Sequence, residues 1–400
     1  MHKLTLRDLP LKGKKVLMRV DFNVPMDTHG SITDDSRIKA SLPSIHYALE
    51  QDCSLILMSH LGRPKNKKVK ELSLKPCAEH LAKLLNKNVT LAPDCIGDHV
   101  AKLANDLRPG DVLMLENLRF YPGEEDPKAH AEFVKSLAQL GDLYVNDAFG
   151  SAHRNHASTA AIADFFPNKA AAGFLLEKEI EFLGKTLNKP ERPFVGIIGG
   201  AKISTKMGAL QALLKKVDVL LIGGAMAHTF LKAHRISVGD SLYEQDYVYN
   251  AYFLMNESRR LNIPLLFPTD LLIAKSLEAE AQTKIIQVNE GIPEGWHGVD
   301  IGPKTIQQFK QALQNAKTVL WNGPLGIFEI EAFAMGTKTI AEAIANLKAT
   351  TIVGGGDSIA AIYAAGVADK ISHLSTGGGA SLEYIEYGTL PGIEALSDAH

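Results

Sequence analysis

The sequence predicts an α/β protein that is built from parallel β-sheets and divided into two domains. Short apolar segments alternate along the chain with longer amphipathic segments, which is typical of βαβ units. The length of 400 residues exceeds what a single hydrophobic core usually contains. A long helical segment, residues 175–187, separates two sets of predicted strands, and Pro190 and Pro193 end it. We therefore expect a first domain over 1–174, an interdomain helix over 175–190 and a second domain over 191–388.

The predicted strands are short and rich in leucine or β-branched residues, without a clean alternation of polar and apolar positions. This pattern is typical of strands that are buried on both faces. The strands are Val16–Val20, Leu55–Met58, Val112–Leu115, Leu143–Val145, Phe194–Ile198, Val219–Ile222, Leu265–Phe267, Lys284–Val288, Val319–Trp321, Thr351–Val353 and His373–Leu374. The helices between them include Lys75–Leu85, Ala131–Leu140, Thr205–Lys215 and Thr337–Leu347.

The charge, the cysteines and the distribution of apolar residues indicate where the protein acts and what it does not bind. The net charge of -2 argues against a dedicated nucleic-acid-binding protein. Cys53, Cys77 and Cys95 are odd in number and lack C-x-x-C spacing, which favours a reducing compartment over a disulfide framework. The sequence contains no signal-peptide pattern and no run of 18 apolar residues, so we expect a cytoplasmic protein without a membrane span.

Polar side chains follow the strands of the first set. Ligands of open parallel sheets bind at the carboxyl ends of the strands, so these positions are candidates for a site. The segments are Asp21-Phe22-Asn23-Val24-Pro25, Ser59-His60-Leu61-Gly62-Arg63-Pro64, Glu116-Asn117-Leu118-Arg119 and Asn146–Arg154. Their arginines, histidines and amides suit a small anionic substrate.

Glycine-rich turns follow the strands of the second set. Glycine lets backbone N–H groups approach a ligand closely, and at the start of a helix such groups bind anions. The turns are Gly199-Gly200-Ala201-Lys202, Gly223-Gly224-Ala225-Met226, Asn322-Gly323-Pro324-Leu325-Gly326, Gly354-Gly355-Gly356-Asp357-Ser358 and Ser375-Thr376-Gly377-Gly378-Gly379-Ala380. They predict a nucleotide or another phosphate ligand. Two anionic ligands on two domains suggest transfer between them, with domain closure.

Each of these signals has a structural alternative. One Gly-Gly pair after a strand is usually a tight turn, and one arginine is usually a surface residue, so the argument depends on their repetition. Asp357 has the alternative role of a helix cap, and His60 and His153 that of hydrogen-bonded structural histidines. We interpret the basic run Lys65–Lys70 and the acidic run Glu124–Asp126 as solvated loops.

Two other functions stay open at this point. One is a dehydrogenase, which is disfavoured because no G-x-G-x-x-G occurs. The segment Gly184-Lys185-Thr186 resembles the end of a P-loop, but Glu179 stands where the first glycine of that motif should be. The absence of H-E-x-x-H and G-x-S-x-G also disfavours zincins and α/β-hydrolases. A non-catalytic protein that binds nucleic acid through Lys65–Lys70 would show salt-dependent binding independent of Lys202.

The ordered set of motifs resembles phosphoglycerate kinase. The motifs run from about residue 16 to 392 and, although each is weak alone, their order is highly specific. They are Val20-Asp21-Phe22-Asn23-Val24-Pro25, Ser59-His60-Leu61-Gly62-Arg63-Pro64, Glu116-Asn117-Leu118-Arg119-Phe120, Gly199-Gly200-Ala201-Lys202, Trp321-Asn322-Gly323-Pro324-Leu325-Gly326, Gly354-Gly355-Gly356-Asp357-Ser358 and Ser375-Thr376-Gly377-Gly378-Gly379-Ala380-Ser381.

The resemblance implies two Rossmann-like domains with parallel sheets flanked by helices, joined by a helical hinge. Residues 389–400 would pack back on the first domain, which would bind phosphoglycerate, while the second would bind the nucleotide. The implied reaction is reversible phosphoryl transfer from 1,3-bisphosphoglycerate to ADP, giving 3-phosphoglycerate and ATP in glycolysis and gluconeogenesis. A monomer and the cofactor Mg²⁺ are also implied.

The resemblance also implies roles for individual residues. The substrate would be bound by Asp21, Asn23, Arg37, His60, Leu61, Gly62, Arg63, Arg119 and Arg154. The nucleotide would be bound by Lys202, Lys206, Gly223, Gly224, Gly298, Pro324, Glu329, Gly355, Gly356, Asp357 and Ser358, with Glu329 on the ribose hydroxyls and Asp357 on Mg²⁺. The catalytic residues would be Arg37, Lys202, Gly355 and Gly378. Ala225 stands where the family often has a third glycine, so the adenine pocket is expected to differ slightly there.

Overall fold

A computed structural model describes residues 3–399 and divides the chain into two compact units. The first unit extends to Glu181 and resumes at Thr389, and the second covers Phe182–Gly388. The division falls inside the helix Phe174–Asn188, whereas the boundaries predicted from the sequence lie at its two ends.

Strands and helices alternate through most of the chain. Within residues 3–399 the strands are β1 (Lys15–Arg19), β2 (Ser54–Met58), β3 (Thr90–Leu91), β4 (Val112–Met114), β5 (Leu143–Asn146), β6 (Ala170–Ala172), β7 (Phe194–Ile198), β8 (Val219–Ile222), β9 (Leu265–Leu266), β10 (Asp270–Ala274), β11 (Thr283–Gln287), β12 (His297–Ile301), β13 (Thr318–Asn322), β14 (Thr350–Gly354) and β15 (His373–Ser375). The α-helices are α1 (Ser36–Glu50), α2 (Lys75–Leu85), α3 (Asp98–Asn105), α4 (Pro122–Glu125), α5 (Ala131–Ala138), α6 (Phe174–Asn188), α7 (Met207–Leu214), α8 (Met226–Ala233), α9 (Val248–Leu261), α10 (Pro303–Leu313), α11 (Met335–Ala345), α12 (Gly356–Ala364), α13 (Gly379–Tyr387) and α14 (Pro391–Glu394).

The first unit contains a six-stranded parallel sheet in the order β3-β4-β2-β1-β5-β6. Its strands are buried on both faces, since Val16 and Met18 join the main core while Leu17 between them is also fully buried. The strand order reverses between β1 and β5. A crevice at the carboxyl ends of these two strands is therefore the expected ligand site.

The second unit contains a six-stranded parallel sheet in the order β15-β14-β13-β7-β8-β9 and a separate antiparallel sheet, β11-β10-β12. Trp321 of β13 is fully buried and packs in the same core as Val195, Val319 and Val353. The strand order reverses between β7 and β13, so the ligand site of this sheet is expected at the ends of those strands.

The structure confirms the predicted α/β class with parallel sheets flanked by helices, and every predicted strand is present within one or two residues. Four further strands were not predicted. β3 has only two residues, β6 consists of alanines, which have low strand propensity, and β10 and β12 carry aspartates in their sequence. The expectation that Lys284–Val288 forms a buried parallel strand is wrong. β11 is antiparallel and lies at the edge of its sheet. Thr283, Lys284 and Ile285 are exposed, and because successive side chains point to opposite faces, this end of the strand is covered on neither face.

The C-terminal segment belongs to the first unit. Leu4 N donates to Ser397 O (2.8 Å), and Gly392 N donates to Ala152 O (2.8 Å). The Asn146 side chain, at the end of β5, also donates to Gly392 O (3.2 Å). These bonds tie the segment to the edge of the first sheet where polar residues were predicted. No helix within residues 3–399 is both long and apolar enough to cross a membrane.

Asp270 joins the antiparallel sheet to the start of α10. Its buried carboxylate accepts hydrogen bonds from Thr305 N (2.8 Å), Thr305 Oγ1 (2.7 Å) and Lys304 N (3.0 Å). These N–H groups lie in the first turn of the helix and have no partner within it. Asp270 thus caps α10 from another element.

Replacing Asp270 with alanine should destabilise the second unit by about 1–3 kcal/mol, because buried N–H groups would lose their acceptor. Urea unfolding monitored by circular dichroism measures the change. Asp369→Ala is the matched control, because Asp369 is exposed and its loss should stay within about 0.5 kcal/mol. Equal midpoints for the two variants would contradict this assignment.

Candidate active site

The loops after the neighbouring strands β1 and β2 are bonded to each other at the carboxyl ends of these strands, next to the point where the strand order reverses. Phe22 N donates to Ser59 Oγ (2.9 Å), and Gly62 N donates to Asn23 Oδ1 (2.8 Å). These bonds bring the predicted residues Asn23, Leu61 and Gly62 together. Leu61 is buried, so it supports the loop from below.

Arg37 and Asp21 form an ion pair at the same edge. Arg37 lies in the first turn of α1, and its Nη1 is 3.0 Å from Asp21 Oδ2. Burial alone would raise the pKa of Asp21, but the guanidinium groups of Arg37 and Arg19 hold it below its ordinary value. The Arg37 side chain remains 37% exposed, so its other N–H groups can meet an anion.

Arg119 lies in the turn after β4. Its Nη1 donates to Gly62 O (3.0 Å), and its Nε is 3.3 Å from Glu125 Oε1. Burial lowers the pKa of Arg119, although arginine stays protonated at physiological pH. Arg63 and Arg154, also predicted, have exposed side chains. The first unit therefore carries several guanidinium groups in the segments that follow its strands.

His60 lies in this site in contact with Arg19. It is buried, and Arg19 Nη2 lies 3.0 Å from its Nδ1. Since arginine only donates, Nδ1 must accept, which places the ring proton on Nε2. Burial and the neighbouring arginines hold its pKa well below 6.5. His60 is thus neutral near pH 7. Its bond to Arg19 is of the kind expected for a hydrogen-bonded structural histidine, and its role in binding substrate stays a prediction.

Three buried polar residues support the crevice and were not predicted. Arg19 Nε donates to Ser158 Oγ (2.7 Å), and Ser158 Oγ donates to Glu124 Oε1 (2.6 Å). Burial raises the pKa of Glu124, and Arg19 and Ser158 counteract this effect. The prediction of a solvated loop at Glu124–Asp126 is wrong for Glu124, which is fully buried in α4. Arg19 itself was detectable, as a charged residue inside an apolar strand.

The predicted basic loop is exposed as expected. Lys65, Lys67, Lys68 and Lys70 are all exposed. Lys68 forms an ion pair with Asp94, and its ammonium lies 5.5 Å from the centre of the Tyr121 ring. One of the lysines therefore already has protein partners.

In the second unit the turns after β7 and β13 lie in direct contact. Gly199 N donates to Asn322 O (2.9 Å), and Gly200 N donates to Pro324 O (2.7 Å). A Cβ atom on Gly199 would lie 2.2 Å from Pro324 O, so only glycine fits. Gly200 has φ +97°, a conformation that glycine adopts without strain.

Lys206 fastens these two turns together. Its Nζ donates to Gly199 O (2.7 Å), Asn322 Oδ1 (2.8 Å) and Asn322 O (3.2 Å). Burial lowers the pKa of Lys206 to about 8, and the nearby Asp357 opposes that shift. Lys202, in contrast, has an exposed side chain. The two predicted lysines thus differ, one tied into the protein and one open to a ligand.

The turn after β14 opens helix α12. Gly355 has φ +93° and precedes the first helical residue, Gly356. Gly323 N donates to the Ser358 hydroxyl (2.5 Å), which ties this turn to the one after β13. Asp357 is exposed in the first turn, and the helix has no side-chain cap. The N-cap residue of α12 is Gly355 and not Asp357, which lies one residue inside the helix start. Gly378, with φ +52°, stands in the same position before α13.

A cavity of about 290 Å³ lies beside these turns. It is lined by the predicted residues Gly224, Gly298, Pro324, Glu329 and Asp357. Its remaining wall is largely apolar and includes Leu271, Val299, Ile301, Leu325 and Ile327. The other predicted nucleotide residues, Lys202, Lys206, Gly223, Gly355, Gly356 and Ser358, are not part of this lining. An apolar slot with polar groups at its rim suits a nucleotide.

The donor set fits a metal only if a ligand supplies most of the oxygens. Among residues 3–399, no three His, Cys, Asp or Glu side chains are grouped as a metal site. Asp357 offers a single exposed carboxylate in the cavity wall. Mg²⁺ is commonly held by one or two carboxylates together with nucleotide phosphates, so Asp357 fits that arrangement.

Asp300 is a buried carboxylate in the cavity wall that was not predicted. It accepts hydrogen bonds from Gly336 N (2.6 Å) and Ile301 N (2.9 Å). Burial raises its pKa from 3.8 to about 7. Its place in an unpredicted strand, β12, explains why the sequence did not indicate it.

Two parallel sheets, one ending in guanidinium groups and the other in glycine turns beside a cavity, define the class of two-domain α/β phosphotransferases. Comparison with known proteins agrees. The sequence profile described as phosphoglycerate kinase matches residues 6–387. The chain belongs to the phosphoglycerate kinase family.

Individual relatives match along the whole chain. The phosphoglycerate kinase of Moorella thermoacetica is 53% identical over 398 residues and that of Chlorobium limicola 54% over 403 residues, each covering 100% of both chains. The solved phosphoglycerate kinase of Coxiella burnetii is 40% identical with a TM-score of 0.87. That of Pyrococcus horikoshii is 32% identical with a TM-score of 0.85. Each alignment covers 98% of both chains.

Asp300→Asn should change how stability depends on pH. The folded state binds the Asp300 proton more tightly than the unfolded chain, whose pKa is 3.8, because the folded value is about 7. The stabilising effect is complete below the unfolded value and is lost as pH rises through the folded one.

The free energy of unfolding of the native chain, relative to that of Asp300→Asn, should therefore fall between about pH 4 and pH 8, by at most about 1.4 kcal/mol per pH unit. Urea unfolding at a series of pH values measures this difference. Parallel profiles for the two proteins would show that Asp300 is ionised throughout.

Proposed function

We propose that the chain catalyses reversible phosphoryl transfer from 1,3-bisphosphoglycerate to ADP, giving 3-phosphoglycerate and ATP. The family consists of kinases whose phosphoryl acceptor is a carboxyl group. The observation that carries the proposal is the division of chemistry between the units. One presents guanidinium groups, and the other presents glycine turns around a cavity. The reaction is a step of glycolysis and gluconeogenesis.

The first unit, over residues 1–174 with 389–400, is proposed to bind the phosphoglycerate. Arginine forks bind phosphate and carboxylate groups through two parallel hydrogen bonds. Arg37 and Arg119 are already oriented by Asp21 and Gly62, which reduces the entropy lost on binding. The proposed set is completed by Asp21, Asn23, His60, Leu61, Gly62, Arg63 and Arg154.

The second unit, over residues 191–388 beyond the helix 175–190, is proposed to bind the nucleotide. Its apolar cavity suits the base, and Glu329 at the cavity wall suits the ribose hydroxyls. The N-terminus of α12 offers free N–H groups to phosphates. The remaining contacts are proposed for Lys202, Lys206, Gly223, Gly224, Gly298, Pro324, Gly355, Gly356, Asp357 and Ser358.

Phosphoryl transfer needs no covalent nucleophile, so positioning and positive charge supply most of the catalysis. We assign Arg37 and Lys202 to neutralise charge on the transferring group. Both have N–H groups that are accessible to a ligand. The backbone N–H groups next to Gly355 and Gly378 are assigned to the same charge, because each glycine precedes a helix start.

Mg²⁺ is the proposed cofactor, with Asp357 as its protein ligand. When bound, the ion would neutralise nucleotide phosphate charge and favour transfer. The protein holds the Asp357 carboxylate at the start of α12, close enough to raise the pKa of Lys206 electrostatically. We further propose that the enzyme acts in the cytoplasm as a monomer and binds no nucleic acid.

A coupled assay tests the reaction. ATP and 3-phosphoglycerate are supplied, and NADH oxidation by glyceraldehyde-3-phosphate dehydrogenase is followed with and without Mg²⁺. Activity should require both substrates and the metal. A folded sample without activity would contradict the proposal, and a protein that instead oxidises a substrate with NAD would be a dehydrogenase.

Arg37→Ala and Lys202→Ala should each lower kcat by about 10²–10⁴-fold, the range for lost electrostatic stabilisers of a transition state. The coupled assay measures kcat after circular dichroism has shown that each variant is folded. Lys310→Ala is the matched control, because Lys310 is exposed on α10 and should not change kcat. A near-normal kcat in either test variant would remove that residue from the catalytic set.

Asp357→Asn should raise the Mg²⁺ concentration for half-maximal activity by at least about tenfold, since even groups that only support a metal ligand contribute that much. Activity is measured against free Mg²⁺ at saturating substrates. Asp369→Asn serves as the control, because Asp369 is an exposed aspartate outside the cavity lining. An unchanged Mg²⁺ requirement in Asp357→Asn would exclude Asp357 as the ligand.

A further inference from the structure

His228 is a buried histidine in the wall of the cavity and has no role in the function proposed above. It lies in the first turn of α8, and only 2% of its surface is exposed. The cavity lining includes His228 together with Leu242 and Gly298. A buried polar ring in a largely apolar wall needs a hydrogen-bonding partner for each nitrogen.

The protonation of the ring follows from its geometry. His228 Nδ1 is 3.0 Å from the carbonyl oxygen of Leu242. A carbonyl only accepts, so Nδ1 must carry the proton and donate. Burial lowers the pKa of His228 to about 4, which leaves a single ring proton near pH 7. The other nitrogen, Nε2, is therefore a hydrogen-bond acceptor.

Nε2 faces the cavity beside Gly298. A Cβ atom built on Gly298 would lie 2.3 Å from Nε2, so glycine at this position keeps the space in front of the nitrogen open. Within residues 3–399 the structure gives Nε2 no hydrogen-bonding partner. The Nε2 atom of His228 is thus a fixed acceptor beside the apolar part of the cavity.

The chemistry of that acceptor selects the ligand group. A phosphate has no hydrogen to donate and is repelled by a lone pair, so Nε2 does not belong to a phosphate site. The ribose hydroxyls have the Glu329 carboxylate at the cavity wall as an acceptor. The exocyclic amino group of a 6-aminopurine is the remaining donor on a nucleotide, and it sits on an apolar ring that suits the surrounding wall.

We propose that His228 is a specificity-determining residue whose Nε2 accepts a hydrogen bond from the 6-amino group of the nucleobase. The inference deepens the proposed function and rests on the nucleotide occupying this cavity. A 6-oxopurine would place oxygen lone pairs against Nε2, and a purine without a 6-substituent would leave Nε2 unpaired. Both should bind more weakly than adenine.

Calorimetric titration with three diphosphates tests the proposal without turnover. The probes are ADP, the diphosphate of purine riboside, which lacks the amino group, and IDP, which carries an oxygen there. The native chain should bind ADP about 3–10-fold more tightly than the purine riboside analogue, the value of one net hydrogen bond. IDP should bind no better than that analogue. Equal affinities of the native chain for ADP and the analogue would overturn the proposal.

Two variants separate the two ring nitrogens. In His228→Asn the shorter side chain places an amide near the position of Nδ1, so it keeps a donor for Leu242 O and removes the acceptor. In His228→Gln the longer side chain places an amide near the position of Nε2. The preference for ADP should disappear in His228→Asn and persist in His228→Gln. Thermal unfolding confirms that both variants are folded.

Three outcomes would contradict the assignment. If His228→Asn still bound ADP more tightly than the analogue, Nε2 would not accept the hydrogen bond from the base. If both variants lost this preference, it would depend on the packing of the ring and not on its acceptor. If His228→Asn instead lost a preference for ADP over 2′-deoxy-ADP, Nε2 would face the ribose. The coupled assay keeps the two proposals apart, because intact ADP preference without turnover contradicts only the proposed reaction.

Discussion

The turns after β7 and β13 approach so closely that only backbone atoms fit between them. Gly199 and Gly200 donate to carbonyls of the opposite turn, and the Lys206 ammonium bonds to acceptors on both. Ser358 then fixes the start of α12 to the same turn through Gly323. The cavity, the helix N-terminus and the glycine N–H groups therefore have fixed relative positions before any ligand binds, and such preorganisation is what electrostatic catalysis requires.

The first unit is preorganised by a different kind of interaction. Its crevice is held by buried charges rather than by close backbone contact. Arg19 bonds to Ser158 and to His60, and Ser158 in turn bonds to the fully buried Glu124. A buried charge is tolerated only when it is paired and hydrogen-bonded. The network meets this requirement and leaves Arg37 and Arg119, at its rim, with N–H groups for an anion.

In the second unit, burial shifts the pKa values of three ionisable groups in the direction that favours their neutral forms. The pKa of Lys206 falls to about 8, that of His228 falls to about 4 and that of Asp300 rises to about 7. Lys202 and Asp357 remain exposed at this site, and the Lys206 ammonium keeps most of its charge near pH 7 because its pKa stays above 7. A largely apolar wall with charged groups at its rim matches a molecule with an apolar base at one end and phosphates at the other.

The sequence alone determined the α/β class, nearly all strands of the two parallel sheets and the family, because apolar periodicity and ordered turn motifs are local properties. It also indicated Asp21, Asn23, Arg37, Gly62 and Arg119, which the structure brings into contact. It missed Glu124, Asp300 and His228. A carboxylate or an imidazole becomes buried, neutral or oriented only through neighbours that are distant in the chain. Glu124 meets Ser158, Asp300 meets Gly336 and His228 meets Gly298 only after the fold has formed, so the tertiary structure alone decided their roles.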